Sequence, residues 1–429
     1  MKKVIVVLVL ALAMVLVAAV SAQPSTYNSG FQVANLSATN ADIVISYVKQ
    51  DGTVDATVNG TIPANGSTTY FPIGASAGFN GSVVISSNQP VAAIANVLGD
   101  GFAFGASYES FSEGAASVNL PLIMKGNFNF NTWFNVQNAA APGGAAVTVN
   151  ISYAGTTCTE TATIAAGAAA TFNQGTNACL PNPYVGAATV TATGGNIVAT
   201  VMEVGPTTLF AYNGFTAGSE NPVMPLVQAN NFGYFTGIQV QNAGSASTNV
   251  TVSYVPGTVG SACTQTATIA AGASATFLDC SNMSVSQFVG GASVTTNSAN
   301  QPLVAIVNQL NNSAGKGAAY NAFDPASASA SVNFPLIMRD NFGFFTGFNV
   351  YNAGAAAASV TCTFSGTGGP ATVTATVAAG AVLNAVQTGS GTYVGSATCT
   401  AAGGSLVGVA NEVSTAAGDN LFAYGGFNQ

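Results

Sequence analysis

The sequence predicts an all-β chain of four β-sandwich units in tandem behind an N-terminal leader. Three observations carry this reading. One stretch recurs, as NLPLIMKGNFNFNTWFNVQNA at 119–139, VMPLVQANNFGYFTGIQVQNA at 223–243 and NFPLIMRDNFGFFTGFNVYNA at 333–353, with a shortened form, YNSGFQVANL, at 27–36. Behind each start, apolar and polar residues alternate with period two, the pattern of a strand with one buried and one wet face. No helical period appears beyond the leader.

In the leader, Lys2 and Lys3 precede an unbroken apolar run from Val4 to Val20, and Val20-Ser21-Ala22 offers small residues for cleavage. That is the pattern of a secretory signal peptide over 1–22. A retained membrane anchor is the alternative, and any membrane contact is expected through this segment alone.

The repeat has a measurable period. Asn35, Asn138, Asn242 and Asn352 occupy one position, with steps of 103, 104 and 110 residues. The units are read as 23–113, 117–215, 220–323 and 331–429. After the start comes a strand such as Val147, Val149, Ile151 and Tyr153 separated by Thr148, Asn150 and Ser152, repeated as Val250, Val252, Tyr254 and as Ile43, Ile45, Tyr47. TATIAAGAAATF (161–172) and TATIAAGASATF (266–277) then read as β-hairpins about an Ala-Gly turn. YVGAATVTA (184–192) follows, then IVATVMEV (197–204), and each unit closes on an aromatic tail such as LFAYNGF (209–215). Seven or eight short strands per unit fit a sandwich. Two propeller blades per unit would use as many strands, but no half-unit repeat is visible.

Six cysteines fall two to a unit, Cys158 and Cys179, Cys263 and Cys280, Cys362 and Cys399, with none in unit one. With a secretion signal they read as three disulfides within units. The first two pairs open and close the predicted hairpins. Cys362 and Cys399 stand where the other units have the apolar pairs Ile45 and Ile85, Ile151 and Val190, Val252 and Val294. Joint replacement of an apolar pair predicts contact across the core, hence a bridge between the two sheets. Each bridge is worth roughly 3–4 kcal/mol in the chain-entropy model.

Charged residues are 5% of the chain, against roughly 25% in ordinary domains. Loss of the leader leaves four cations, Lys49, Lys125, Lys316 and Arg339, against fourteen acids, a net charge of −10. Such a chain cannot neutralise a phosphate backbone, which excludes nucleic acid as a partner. There is no His and no C-x-x-C pair, so no zinc set is expected and no cofactor is implied. Gly74-Ala75-Ser76-Ala77-Gly78 matches G-x-S-x-G without a His base. Gly315-Lys316-Gly317 lacks the rest of a phosphate loop. Asp51 and Asp55 read as an ordinary turn rather than a calcium site. Glu203 and Glu412 align with Gln309 and Val97, so they read as solvent-facing strand residues and not as a glycosidase pair. No catalytic residue is expected.

The best binding candidates are aromatics of the recurring start: Phe130, Trp133, Tyr234, Phe235, Phe344 and Phe345. Exposed rings would stack on glycans or pack on a partner protein. The competing reading is that Phe130, Phe235 and Phe345 plug the sandwich ends or the junctions. Asn150-Ile-Ser and Asn249-Val-Thr match the glycosylation sequon by abundance of Asn, Ser and Thr.

With three Lys and one Arg after the leader, the chain cannot guard its sheet edges with charge. The edges are therefore expected to be used, unit against unit or chain against chain. Pro121, Pro225 and Pro335 lie in an opening strand that unit one lacks, because the matching residues fall in the leader. Unit one either accepts a strand from another molecule or covers the gap with residues 23–28.

The LPLIM…NTWFNVQNA start, the TATIAAGAAATF segment and the YVGAATVTA–IVATVMEV succession resemble the tandem immunoglobulin-like modules of bacterial secreted and cell-surface proteins. The resemblance covers nearly all of 25–427. It implies four immunoglobulin-like sandwiches in a surface, filament or adhesion component and carries over no catalytic residue. Unit one departs from it, lacking the opening strand and the cysteines. The expectation is thus a non-catalytic extracellular structural protein that self-associates or binds other surface proteins. A surface adhesin or carbohydrate binder is the alternative.

Overall fold

A computed structural model describes residues 24–428 except 102, 279, 281–285, 367 and 388, so the predicted leader lies outside the described residues. Almost every element is a strand; the one helical element among the described residues is a single 3-10 turn, Pro325–Ser327. Unit one holds β1 (Tyr27–Asn35), β2 (Ala41–Lys49), β3 (Val54–Ile62), β4 (Ser67–Tyr70), β5 (Gly81–Ser87), β6 (Val91–Gly99) and β7 (Phe104–Glu109). Unit two holds β8 (Ser117–Lys125), β9 (Asn131–Asn138), β10 (Val147–Tyr153), β11 (Thr159–Ile164), β12 (Ala169–Asn173), β13 (Tyr184–Thr193), β14 (Ile197–Val204) and β15 (Leu209–Asn213). Unit three follows as β16 (Val223–Ala229), β17 (Phe235–Asn242), β18 (Thr248–Val259), β19 (Cys263–Ile269), β20 (Ser274–Phe277), β21 (Phe288–Thr296), β22 (Leu303–Asn311) and β23 (Lys316–Asn321). Unit four comprises β24 (Ser331–Arg339), β25 (Phe344–Asn352), β26 (Ala358–Ser365), β27 (Val373–Val377), β28 (Val382–Val386), β29 (Tyr393–Ala401), β30 (Leu406–Ser414), β31 (Leu421–Gly425) and β32 (Phe427–Asn428).

Each unit forms two antiparallel sheets. In unit two the orders are β11-β10-β13-β8 and β12-β9-β14-β15. Units three and four repeat them as β16-β21-β18-β19 with β20-β17-β22-β23, and β27-β26-β29-β24-β32 with β28-β25-β30-β31. The alternation in the sequence is what assigns the faces. β10 buries Val147, Val149, Ile151 and Tyr153 and exposes Thr148, Asn150 and Ser152. Val118, Leu120, Ile151 and Val190 of one sheet meet Phe134, Val136 and Val201 of the other in a common core, all 0% exposed. Immunoglobulin domains divide their strands as ABED and CFG. Here the first, third, fourth and sixth strands share one sheet, and the second, fifth, seventh and eighth the other.

Several expectations are corrected. The Ala-Gly segments are not hairpins: β11 pairs with β10, whereas β12 pairs with β9 in the opposite sheet. The chain arches from layer to layer, and the recurring Asn explains where. Asn138 Nδ2 donates across to Ile164 O at 3.1 Å, the last carbonyl of β11, and to Ala145 O at 2.9 Å, while its Oδ1 accepts from Ala140 N at 3.0 Å. Asn35, Asn242 and Asn352 make the same set, reaching Ile62, Ile269 and Val377. The residue that measures the period is thus a buried clamp holding the arch to the loop after the second strand.

The cysteines pair as expected within units, but the bridge between Cys362 and Cys399 does not cross the core. The two residues are register partners on β26 and β29 of one sheet, 3.9 Å apart at Cα. Ile45 and Ile85, Ile151 and Val190, Val252 and Val294 are register partners too. Both members face inward because cross-strand partners share a face, so joint burial did not imply opposite sheets.

Unit one has only β3-β2-β5 beside β4-β1-β6-β7. Among the described residues nothing pairs with the outer side of β5. Ile85 is only partly buried, where its equivalents Val190, Val294 and Cys399 are 0% exposed. Residues 24–28 do not cover this edge: Tyr27 and Asn28 pair with Gly99 and Leu98 of β6, and Asp100 Oδ1 accepts from Ser25 N at 2.9 Å and Thr26 N at 3.0 Å.

The expected edge pairing between units is absent among the described residues, where no sheet crosses from one unit to the next. Nor do the units lie in a row. Their last strands adjoin in a cycle, β7 to β15, β15 to β23, β23 to β31 and β31 back to β7, so the four units close around one axis.

The clamp predicts a large local effect. Asn242→Ala removes the bonds to Ala246 O and Ile269 O and the bond from Gly244 N at a site 0% exposed. Unfolding by urea should show a loss of about 2–4 kcal/mol.

Candidate functional site

The axis is built from small and large residues in alternation. Gly105, Leu209, Gly317 and Leu421 occupy one level of the four central strands. A Cβ at Gly317 would lie 2.2 Å from the Phe210 ring, and one at Gly105 would lie 2.7 Å from the Phe422 ring. Two glycines therefore admit two phenylalanines from neighbouring units. Asp419, in the turn before β31, fastens this level. Its Oδ2 accepts from Leu209 N at 2.6 Å, its Oδ1 from Gly317 N at 2.7 Å, and its own N donates to Ala103 O at 3.0 Å. One residue of unit four thus bonds to each of the other three. Lys316 Nζ holds the same turn through Ala416 O and Gly418 O at 2.9 and 2.8 Å. Burial pushes the Asp419 carboxyl up to about 8, against the lowering effect of the two N–H donors and Lys316.

At the other end of the central strands Asn213 N donates to Asn321 Oδ1 at 2.9 Å, and Asn321 Nδ2 donates back to Asn213 O at 2.7 Å. Asn213 Nδ2 donates to Glu109 O at 2.9 Å, and Gly425 N donates to Glu109 Oε1. Ser107 Oγ donates to Ala423 O at 2.7 Å. The last two bonds close the cycle between units four and one.

Outside the axis the seventh strands meet. Val97 packs with Met202 in an apolar cluster between units one and two. One position on in the cycle, Asn308 Nδ2 donates to Glu203 Oε2 at 2.6 Å. Next, Gln309 and Asn411 form a reciprocal amide pair, Nε2 to Oδ1 at 3.0 Å and Nδ2 to Oε1 at 2.7 Å. Glu203 and Glu412 are therefore not solvent-facing as expected; they are 0% and 6% exposed because the neighbouring unit covers this face. Burial pushes both up to about 8. In the Glu203–Asn308 pair the atoms left unpartnered are Glu203 Oε1 and Asn308 Oδ1. A proton on Glu203 joins those two atoms and makes an acid–amide pair of the same form as Gln309–Asn411.

Four of the six aromatics singled out from sequence pack on other residues. Phe130 stacks on Phe210 with centroids 5.7 Å apart, and Phe344 lies 6.1 Å from Phe422, both over the axial level of Asp419. Tyr234 is half-buried against the core of unit three. Trp133 meets Tyr27 edge-on at 5.8 Å and joins the apolar cluster between units one and two. Phe345 is half-buried and Phe235 is 44% exposed.

Sequence reasoning passed over three neighbours of these residues. Phe128, Phe232 and Phe342 sit at the tips of the turns before β9, β17 and β25 and are 88%, 89% and 94% exposed. Each is the first central residue of a two-residue turn, with φ of 47°, 50° and 50°, followed by Asn129, Gly233 and Gly343, also at positive φ. The turns close between Asn127 and Phe130, Asn231 and Tyr234, Asn341 and Phe344. This is the type I′ pattern, which favours Asn-Gly. A bulky side chain in that region is unfavourable by about 1–2 kcal/mol. The signal is present as N-F-N/G between two β-prone runs, inside the aromatic stretches singled out for binding.

The open groove of about 440 Å³ beside Lys49, Asp55 and Phe79 has its carboxylates engaged. Asp55 pairs with Lys49 at 2.9 Å and accepts from Ser76 N at 2.7 Å. Asp51 Oδ1 accepts from Thr53 N at 2.9 Å, the expected ordinary turn.

Two outcomes follow from these sites. The Glu203 carboxyl is raised from 4.5 in the unfolded chain to about 8 when folded. The folded state therefore binds the extra proton, and the stability this group lends is complete below pH 4.5 and lost as pH rises through about 8. Glu203→Gln, which keeps the amide-type pair, should lose less stability than the native chain across that window, by an order of 2–4 kcal/mol at its upper end in urea titrations. At the tips, Phe232→Asn creates an Asn-Gly turn and should stabilise the chain by about 1 kcal/mol in the same assay.

No family model matches the chain, and no curated protein is found to be similar to it.

Proposed function

We propose that the chain is a non-catalytic extracellular structural protein, a subunit of a surface layer, filament or matrix. In this reading each pair of sheets is an immunoglobulin-like sandwich domain, one per sequence unit, exported by the leader over 1–22. The observation that carries it is the axis. Asp419 and the four central strands spend the recurring aromatic tails on fastening units to one another. A chain whose repeated features serve mutual fastening is organised as a block. Three disulfides support an oxidising, extracellular setting. Among the described residues no helix is long and apolar enough to cross a membrane. Adhesion is the second reading, favoured by the three exposed Phe tips, which would engage a glycan or a surface protein.

Negative-stain microscopy of the purified secreted protein separates the two. Ordered assemblies without added ligand are expected. Dispersed single particles that bind glycan arrays or cells would replace the structural reading with the adhesive one.

A further inference from the structure

The four units close into a ring with four junctions, and the junctions are of two kinds. Between units one and two Val97 packs with Met202, and between units three and four Gln309 and Asn411 bond as amides. Neither pair can ionise. Between units two and three the pair is Glu203 with Asn308. The junction of unit four with unit one follows the same packing. Ile94 of unit one lies on the core of unit four, as Ile306 lies on that of unit two and Val409 on that of unit three. Glu412 is thereby brought to the side of unit one that carries Asn96, which holds the place of Asn308 and Asn411 in the repeat. The axial level alternates in step. Phe210 of unit two fills the space over Gly317 of unit three, and Phe422 of unit four the space over Gly105 of unit one. The ring is therefore made of two like halves, units one and two and units three and four. A neutral junction lies inside each half, and the halves meet at the two carboxyl junctions.

Each carboxyl is enclosed by groups that cannot balance a charge. Glu203 and Glu412 are 0% and 6% exposed. In register with each stand a threonine, Thr132 or Thr346, and a phenylalanine, Phe210 or Phe422. In unit three the opening strand supplies Gln228, whose Nε2 donates to Gln309 Oε1 at 3.1 Å. Met124 and Met338 take that place in units two and four, as their shared bond to the threonine shows. The titratable neighbours are Tyr212 and Tyr424, which the carboxylates push further up. Among the described residues no cation forms an ion pair with either carboxyl. Two more acids act in the same sense. Burial raises Glu109, which accepts from Gly425 N across the junction of units four and one, and Asp419 at the axis, where two N–H donors and Lys316 oppose it.

Burial holds Glu203 and Glu412 up at about 8 in the closed ring, from 4.5 in water. The closed ring keeps protons that an open one would lose. Closure is thus favoured in full below pH 4.5, and the closed-to-open ratio falls about tenfold per pH unit for each carboxyl until about pH 8. We propose that the ring is a pH-gated device: ionised, Glu203 and Glu412 release the two carboxyl junctions together, and the ring parts into its two halves. It opens between units four and one, which no stretch of chain joins, and hinges on the link over 214–222 between β15 and β16. The inference stands apart from the structural and adhesive readings and holds under either.

The test follows the full chain from about pH 5 to about pH 9 by small-angle X-ray scattering, with far-UV circular dichroism as the control for strand content. The native chain should be compact in acid and expand reversibly as pH rises, with strand content unchanged. Protease added to the expanded form should cut within 214–222 and leave each half whole. Glu203→Gln with Glu412→Gln keeps both junctions neutral, and should stay compact at least about one pH unit beyond the native chain. Each single variant should make the transition shallower by about tenfold per pH unit, which reads the device even if the double variant does not fold. A native radius constant across the range would overturn the inference. So would an expansion that the double variant keeps in full, or one that tracks loss of strand content, which would be unfolding. First cleavage within 110–116 or 322–330 would overturn the division into these halves.

Discussion

Four strands brought to one axis have little room, and this crowding governs the rest of the molecule. Full-sized side chains at every corner of the Asp419 level would push the strands apart. The chain alternates Gly105 and Gly317 with Leu209 and Leu421, and Phe210 and Phe422 fill the space the glycines leave. Backbone brought so close must have its hydrogen bonds satisfied without water. Asp419 meets that need by accepting two N–H groups from different units, and the Asn213–Asn321 exchange meets it at the far end. The tetrad is pseudo-symmetric for this reason: identical corners would clash, so the four units had to differ where they meet.

The same logic runs through the eighth strands. Tyr212, Tyr320 and Tyr424 donate their hydroxyls to Leu122 O, Leu226 O and Leu336 O at 2.7, 2.6 and 2.6 Å. Each bond ties the central strand to the opening strand of its own unit. Tyr108, the counterpart in unit one, has no opening strand to reach among the described residues and packs with the cluster at Val97 and Met202. Among the described residues, unit one thus has a contact with its neighbour where the other units have an internal tie.

Much of this was legible in sequence. Period-two alternation gave the strands and their buried faces, because a one-residue slip would turn every Val and Ile outward. The Asn spacing gave the units, and the cysteine counts gave the pairings. What failed was whatever depended on the partner of a strand rather than on its own pattern. TATIAAGAAATF has the composition of a hairpin, yet its arms belong to different layers, and only Asn138 and its equivalents reveal the arch. Cys362 and Cys399 were known to touch, but alternation is silent on whether inward neighbours share a sheet. Glu203 reads as solvent-facing because its position takes Gln309 and Val97 in other units; the unit that buries it is a hundred residues away in sequence.

Glu203 also shows how one junction can be filled in different chemical terms. The equivalent contacts are Val97 with Met202, Glu203 with Asn308, and Gln309 with Asn411. An apolar pair needs no hydrogen bond, and a pair of amides satisfies itself through two. A carboxylate facing an amide can satisfy only one of the two, and would also bury a charge. Holding the proton turns that pair into the closest analogue of its neighbour, and burial favours the proton against the lowering effect of the Asn308 N–H donor. The junctions therefore share a shape while differing in polarity. It is this common shape, more than any single interaction, that lets four diverged repeats close on one axis.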